Sequence, residues 1–243
     1  MRLKLEVAIV LALSLGKSAV YSIVALIASI TSVQGLGGSK VTINQTLSAR
    51  PLLDLTYQLL GIGFSLVPVA LCLFLLGANS NPFEKIGFVV KPLWRNVWQG
   101  FALATAIGIP GLGLYFASRQ LGLSAQIVTS DLGAHWWTAP VLLLSALGAS
   151  LLEEVVVVGY LFDRLQKLGR GYWATILISA AIRGSYHLYQ GFGGFLGNFV
   201  MGIVFGWAYR KFGRLTPLVI AHLLLDAVSF VGYAWAKTFI TWL

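Results

Sequence analysis

Charge is what this chain has least of. Only 10% of its 243 residues are Asp, Glu, Lys or Arg, against 58% hydrophobic, whereas a soluble domain of this size needs far more polar surface around its core. Cysteine is nearly absent as well. A single Cys72 excludes a disulfide framework and a thiolate metal cluster, and inside its apolar run it is expected to serve as a small buried hydrophobe. Acid is scarcer than base, 8 Asp and Glu against 17 Lys and Arg. That excess does not read as a nucleic-acid surface, because the basic residues fall between apolar runs and not on one face. No internal repeat is apparent, which counts against an inverted-repeat transporter.

What is present is a succession of apolar runs long enough to cross a bilayer. About seven candidate spans lie near residues 7–31, 55–77, 97–117, 139–163, 172–190, 194–210 and 215–234. The expected fold is therefore all-α, a polytopic transmembrane helix bundle in which residues 1–243 form one integral membrane domain. The first run continues well beyond a signal-peptide core and is kept as a span. Segments rich in base (Arg2 and Lys4; Lys85, Lys91 and Arg95; Arg164, Lys167 and Arg170; Arg210, Lys211 and Arg214) alternate with poorer ones (Arg119; Lys237) after the first loop, which holds Lys40 and Arg50. The positive-inside rule puts the N-terminus and the loops near 78–96, 164–171 and 210–214 in the cytoplasm of a multi-pass cell-membrane protein, with the C-terminus outside. Trp94, Trp98, Trp136, Trp137 and Trp242 suit the interfaces, and Gly193, Gly197, Gly202 and Gly206 suit close helix packing.

Against so apolar a background a few ionisable residues stand out. Glu153 and Glu154 lie mid-span, where an ionisable side chain costs several kcal/mol and marks a functional site by default. His187 and His222 each sit in a later span, with Arg183 four residues before the first and Asp226 four residues after the second. On regular helices residues four apart share a face, so Glu153 is expected to align with Val157, Glu154 with Val158, Arg183 with His187 and His222 with Asp226. At about 1.5 Å per residue, Glu153 and Asp226 come out near the midplane. A carboxylate base, two imidazoles and a second carboxylate enclosed by helices have the chemistry to activate water, Glu153 acting as general base and His222 with Asp226 facing a developing oxyanion. A purely structural hydrogen-bond network, a proton-coupled transporter using Glu153, Glu154 and Asp226 as a relay, and a zinc site of two His and a Glu are the other readings. Nothing resembles H-E-x-x-H, so zinc is the minority one and no cofactor is expected.

The motifs Glu153-Glu154-Val155-Val156-Val157-Val158-Gly159-Tyr160, Arg183-Gly184-Ser185-Tyr186-His187 and His222-Leu223-Leu224-Leu225-Asp226 resemble, in order, those of the CAAX protease and bacteriocin-processing (CPBP, or Abi) family, with the family-like core at 139–231. The resemblance implies an intramembrane glutamic peptidase acting on a membrane-associated peptide or protein, with no metal required. It implies that Glu153 and His187 activate the water and that His222 and Asp226 form the oxyanion site. A non-catalytic immunity or scaffold role is the alternative. Two positions depart from the family's pattern. Its Arg is Val158 here, and its Phe before the second motif's His is Arg183. An arginine lost from one span and gained on another suggests that Arg183 supplies the guanidinium that pairs with Glu154.

Overall fold

Ser14 breaks the first apolar run into two helices, α1 (Arg2–Leu13) and α2 (Leu15–Thr31), bent by 54°, and its hydroxyl returns a hydrogen bond to the Val10 carbonyl at 2.6 Å. The computed structural model describes residues 1–78 and 80–232. After the bent pair come α3 (Pro51–Leu76), α4 (Leu93–Gln120), α5 (Thr138–Lys167), α6 (Tyr172–Ser185), α7 (Phe192–Phe212) and α8 (Thr216–Gly232). Four of these helices, α3, α4, α5 and α7, are long and apolar enough to cross a membrane, or five spans if the bent pair counts as one. The expected seven are thus not all present as full-length helices. Gly184 and Ser185 end α6 early and Gly191, at φ 102, turns the chain. The end of the 215–234 run lies outside the described residues, as do Lys237 and Trp242.

The fold is mostly but not wholly helical. Two five-residue strands, β1 (Lys40–Asn44) and β2 (Gln126–Ser130), pair in parallel with Lys40 opposite Gln126 and Asn44 opposite Ser130. Their β-branched centres, Val41-Thr42-Ile43 and Ile127-Val128-Thr129, favour extended backbone, but five residues between apolar runs give too little period to stand out. The sheet joins the α2–α3 and α4–α5 loops, two segments the charge pattern assigns to one side. At the opposite end the Leu215 amide donates to the Gly87 carbonyl (3.0 Å) and Lys85 approaches Asp163 (3.7 Å). The three base-rich loops therefore gather together.

α5 is the central helix, 61% of its most apolar window buried against 17% for α3 and α4. Val155, Val156, Val157, Val158 and Tyr160 are all essentially inaccessible. Near its base-rich end Arg164 donates to Glu6 of α1 (2.7 Å) and to the Leu75 carbonyl of α3 (2.8 Å), tying three elements together. α6 and α7 meet through small residues. A Cβ added at Gly202 would stand 2.7 Å from the Ala180 Cα, and one at Gly206 would stand 2.9 Å from Ile176. Close packing of this kind is what small residues permit between membrane helices. Cys72 is fully buried on α3.

Candidate active site

The helix that carries the two glutamates changes pitch where they stand. From Glu154 to Tyr160 α5 is π-helical, a geometry that is uncommon and frequent at functional sites. A backbone group freed by the change is used at once, the Val157 carbonyl accepting from the Ser179 hydroxyl of α6 at 2.8 Å. The wider turn also overturns the regular-helix alignment of Glu153 with Val157 and Glu154 with Val158. Neighbours on a regular helix diverge by about 100°, yet here both carboxylates reach the same guanidinium. Arg183 Nη1 donates to Glu153 Oε2 (3.1 Å) and Nη2 to Glu154 Oε1 (2.7 Å).

Arg183 is wholly buried and lies 5.5 Å from the Phe205 ring centre on α7. Glu154 is equally inaccessible. Its Oε1 takes a second hydrogen bond from His222 Nδ1 (2.7 Å), which fixes the tautomer with a proton on Nδ1. His222 Nε2 then points toward Glu153 Oε2 at 4.0 Å and Asp226 Oδ2 at 3.5 Å. His222 and Asp226 do meet one turn apart on α8, as their spacing requires.

His187 arrives by another route. α6 ends at Ser185, so the residue is not on a helical face shared with Arg183. It sits in the loop that follows, its amide donating to the Gly184 carbonyl (3.0 Å) before the single turn Leu188–Gln190. The loop folds back far enough to bring His187 Nε2 within 3.8 Å of Glu153 Oε2, and among the described residues that nitrogen is buried without a hydrogen-bond partner. Nδ1 lies 3.3 Å from the Gln190 amide nitrogen.

Glu153, His187, His222 and Asp226 line one cavity of about 640 Å³, enclosed mainly by α4, α7 and α8, while Glu154 and Arg183 stand behind its wall. Among the described residues every contact of Glu153 uses Oε2, which Tyr186 also holds through its hydroxyl at 2.8 Å. Oε1 is left to the cavity. All six residues singled out from the sequence thus come together on three elements and one loop. Tyr186 and Gln190 were not among them. A buried tyrosine or glutamine carries no signal by itself, although both fall within three residues of His187. Among the described residues no group of three or more His, Cys, Asp or Glu side chains is arranged to hold a metal ion.

Residues 135–228, a stretch that includes every one of these side chains, match a protein family described as type II CAAX prenyl endopeptidase Rce1-like. The match spans less than half of the chain's 243 residues, and over that stretch the chain is similar to the CAAX proteases. No curated protein and no solved structure gives a significant match. Measured against the family's E-E-x-x-x-R pattern, Val158 is buried among apolar neighbours, and the guanidinium on the glutamates comes from Arg183.

Proposed function

We propose that the protein is a membrane-embedded endopeptidase of glutamic type, hydrolysing a peptide bond in a membrane-associated peptide or protein. The observation that carries this reading is the state of Glu153. One carboxylate oxygen is anchored by Arg183 and Tyr186, and the other is free at a cavity shared with two histidines. A general base must be held rigidly and still reach the proton it takes. In this scheme Glu153 removes a proton from water, the hydroxide adds to the scissile carbonyl carbon, and the carbonyl oxygen takes the negative charge. His222, protonated on both ring nitrogens, donates to that oxygen through Nε2, its charge balanced by Glu154 on the far side and by Asp226 beside it. As the C–N bond breaks, His187 delivers to the leaving amine the proton that Glu153 received.

The zinc reading fits less well. No H-E-x-x-H pair of ligands is present, and among the described residues no group of three or more His, Cys, Asp or Glu side chains is arranged to hold a metal ion. The charge pattern supports a cell-membrane location with a cytoplasmic N-terminus. Purified protein in vesicles, presented with bilayer-anchored peptides that bear a fluorophore and a quencher, should cleave a subset of them. Glu153→Gln should reduce turnover by at least about a thousandfold while leaving thermal stability and peptide binding nearly unchanged. Equal turnover in that variant would remove Glu153 from the mechanism, and no cleavage of any peptide would favour a binding role.

A further inference from the structure

The strand β2 has two edges. One pairs with β1, through groups such as the Gln126 amide that donates to the Ser39 carbonyl (2.8 Å). Because backbone groups alternate along a strand, Ala125 and Ile127 turn theirs the other way. Both of these outward amides show where that edge points. Ala125 donates to the Gln190 carbonyl (3.0 Å), and Ser124 bridges antiparallel to Gly191, so the start of the edge is occupied by the loop that carries His187. Ile127, the next outward residue, donates only to a side chain, the Tyr115 hydroxyl at 3.2 Å. Tyr115, Ser124 and Ile127 all line the cavity that holds Glu153. The Asn44 side-chain amide takes the Thr129 carbonyl (2.8 Å) and closes the far end.

We infer that this outer edge of β2 receives the substrate as an extended strand, the peptide displacing the Tyr115 hydroxyl from Ile127 and running on from the Gln190–Gly191 segment toward the histidines. The inference rests on the peptidase reading and adds to it the form of the substrate. A scissile amide within a helix has its carbonyl and amide engaged and its faces covered by the turns around it, so it must be unwound before water can add. Unwinding at membrane depth exposes donors and acceptors that lipid cannot satisfy. A strand edge supplies replacements, as in other cases where an added strand is recognised by its main chain. Of the strand's residues Ile127 alone lines the cavity, which suits a short unwound stretch flanked by helix.

Four variants test this with one probe, a bilayer-anchored helical reporter peptide bearing a ¹³C carbonyl beside the cleaved bond. Tyr115→Phe removes the competing hydroxyl and should lower KM about threefold, a direction that damage to the fold would not produce. Ile127→Pro removes the edge donor at a position where an outward amide lets proline enter a strand, and should raise KM about three- to tenfold, one hydrogen bond's worth, with kcat little changed. With Glu153→Gln, binding is read without turnover. The labelled amide band should shift from its helical to its strand position on binding, and the added Ile127→Pro change should weaken that shift. A peptide that binds and stays helical, or that does not bind, overturns the inference, as does a KM unaltered in both variants. A strand-type shift on binding with no cleavage by the unaltered protein supports the docking edge and overturns the peptidase reading.

Discussion

Arg183 holds two carboxylates with two separate nitrogens, a geometry a planar guanidinium supplies and an ammonium does not. Arg183→Lys keeps the charge but serves one glutamate at a time, so turnover should fall at least about tenfold with only partial loss of stability. Arg183→Met leaves Glu153 and Glu154 without a cation in a buried site, where breaking such a pair costs about 3–5 kcal/mol. A lower melting temperature together with lost turnover is the expected result, and a Met variant as stable as the parent would mean that the pair contributes nothing to the fold. Tyr186→Phe deletes one of the two hydrogen bonds on Glu153 Oε2. It should lower kcat severalfold and leave KM unchanged, since Tyr186 does not line the cavity. The pairing of Arg183 with Glu154 was readable because a buried guanidinium stood where the resemblance expects another residue, whereas its second bond, to Glu153, was not. Tyr186 was not readable, since the amino acid type is common in cores and only the local fold aims its hydroxyl.

The elements that carry these side chains depart from regular geometry at both places where chemistry gathers. Four consecutive valines have no amphipathic phase, so nothing in Val155 to Val158 reveals that α5 widens there. The wider turn begins at the second of the two adjacent glutamates that share one partner. α6 stops short for a reason that was visible, Gly184 and Ser185, but a helix assumed through residue 190 hides it. The packing of α6 on α7 was legible in the recurring glycines, and it sets where Arg183 stands. Gly202 leaves no room for a Cβ against Ala180. Gly202→Val should force the helices apart, cost about 1–3 kcal/mol by overpacking and lower turnover as well, whereas Gly169→Ala, at an exposed turn of positive φ, should affect stability alone. Denaturation midpoints and kcat measured on both variants check this.

For the whole molecule, charge alternation between apolar runs grouped the three base-rich loops, and they lie together at one end of the bundle. Among the described residues four or five helices are long and apolar enough to cross a membrane, not the seven expected, since composition cannot distinguish a crossing helix from a shorter one completed by a buried loop. Cysteines at Arg170 and Lys211 should label from the cytoplasmic face and one at Gln34 from outside, in a Cys72→Ser background; the reverse pattern would invert the protein. Turnover, if side chains alone activate the water, should survive a chelator undiminished, and loss restored by zinc would reinstate the metal reading. One dimension of the bundle reaches beyond the protein itself. α6 has 14 residues, about 21 Å of rise, short of a hydrocarbon layer of about 30 Å, and its outer face leaves Trp173 and Leu177 exposed. If that face is set against lipid, acyl chains next to it must shorten or tilt to match, which would thin the bilayer beside the helix that leads into His187. Water has less hydrocarbon to cross there, and a substrate helix arriving from that side meets the headgroup layer sooner. Turnover in vesicles of graded acyl length should therefore be greatest in the thinner bilayers.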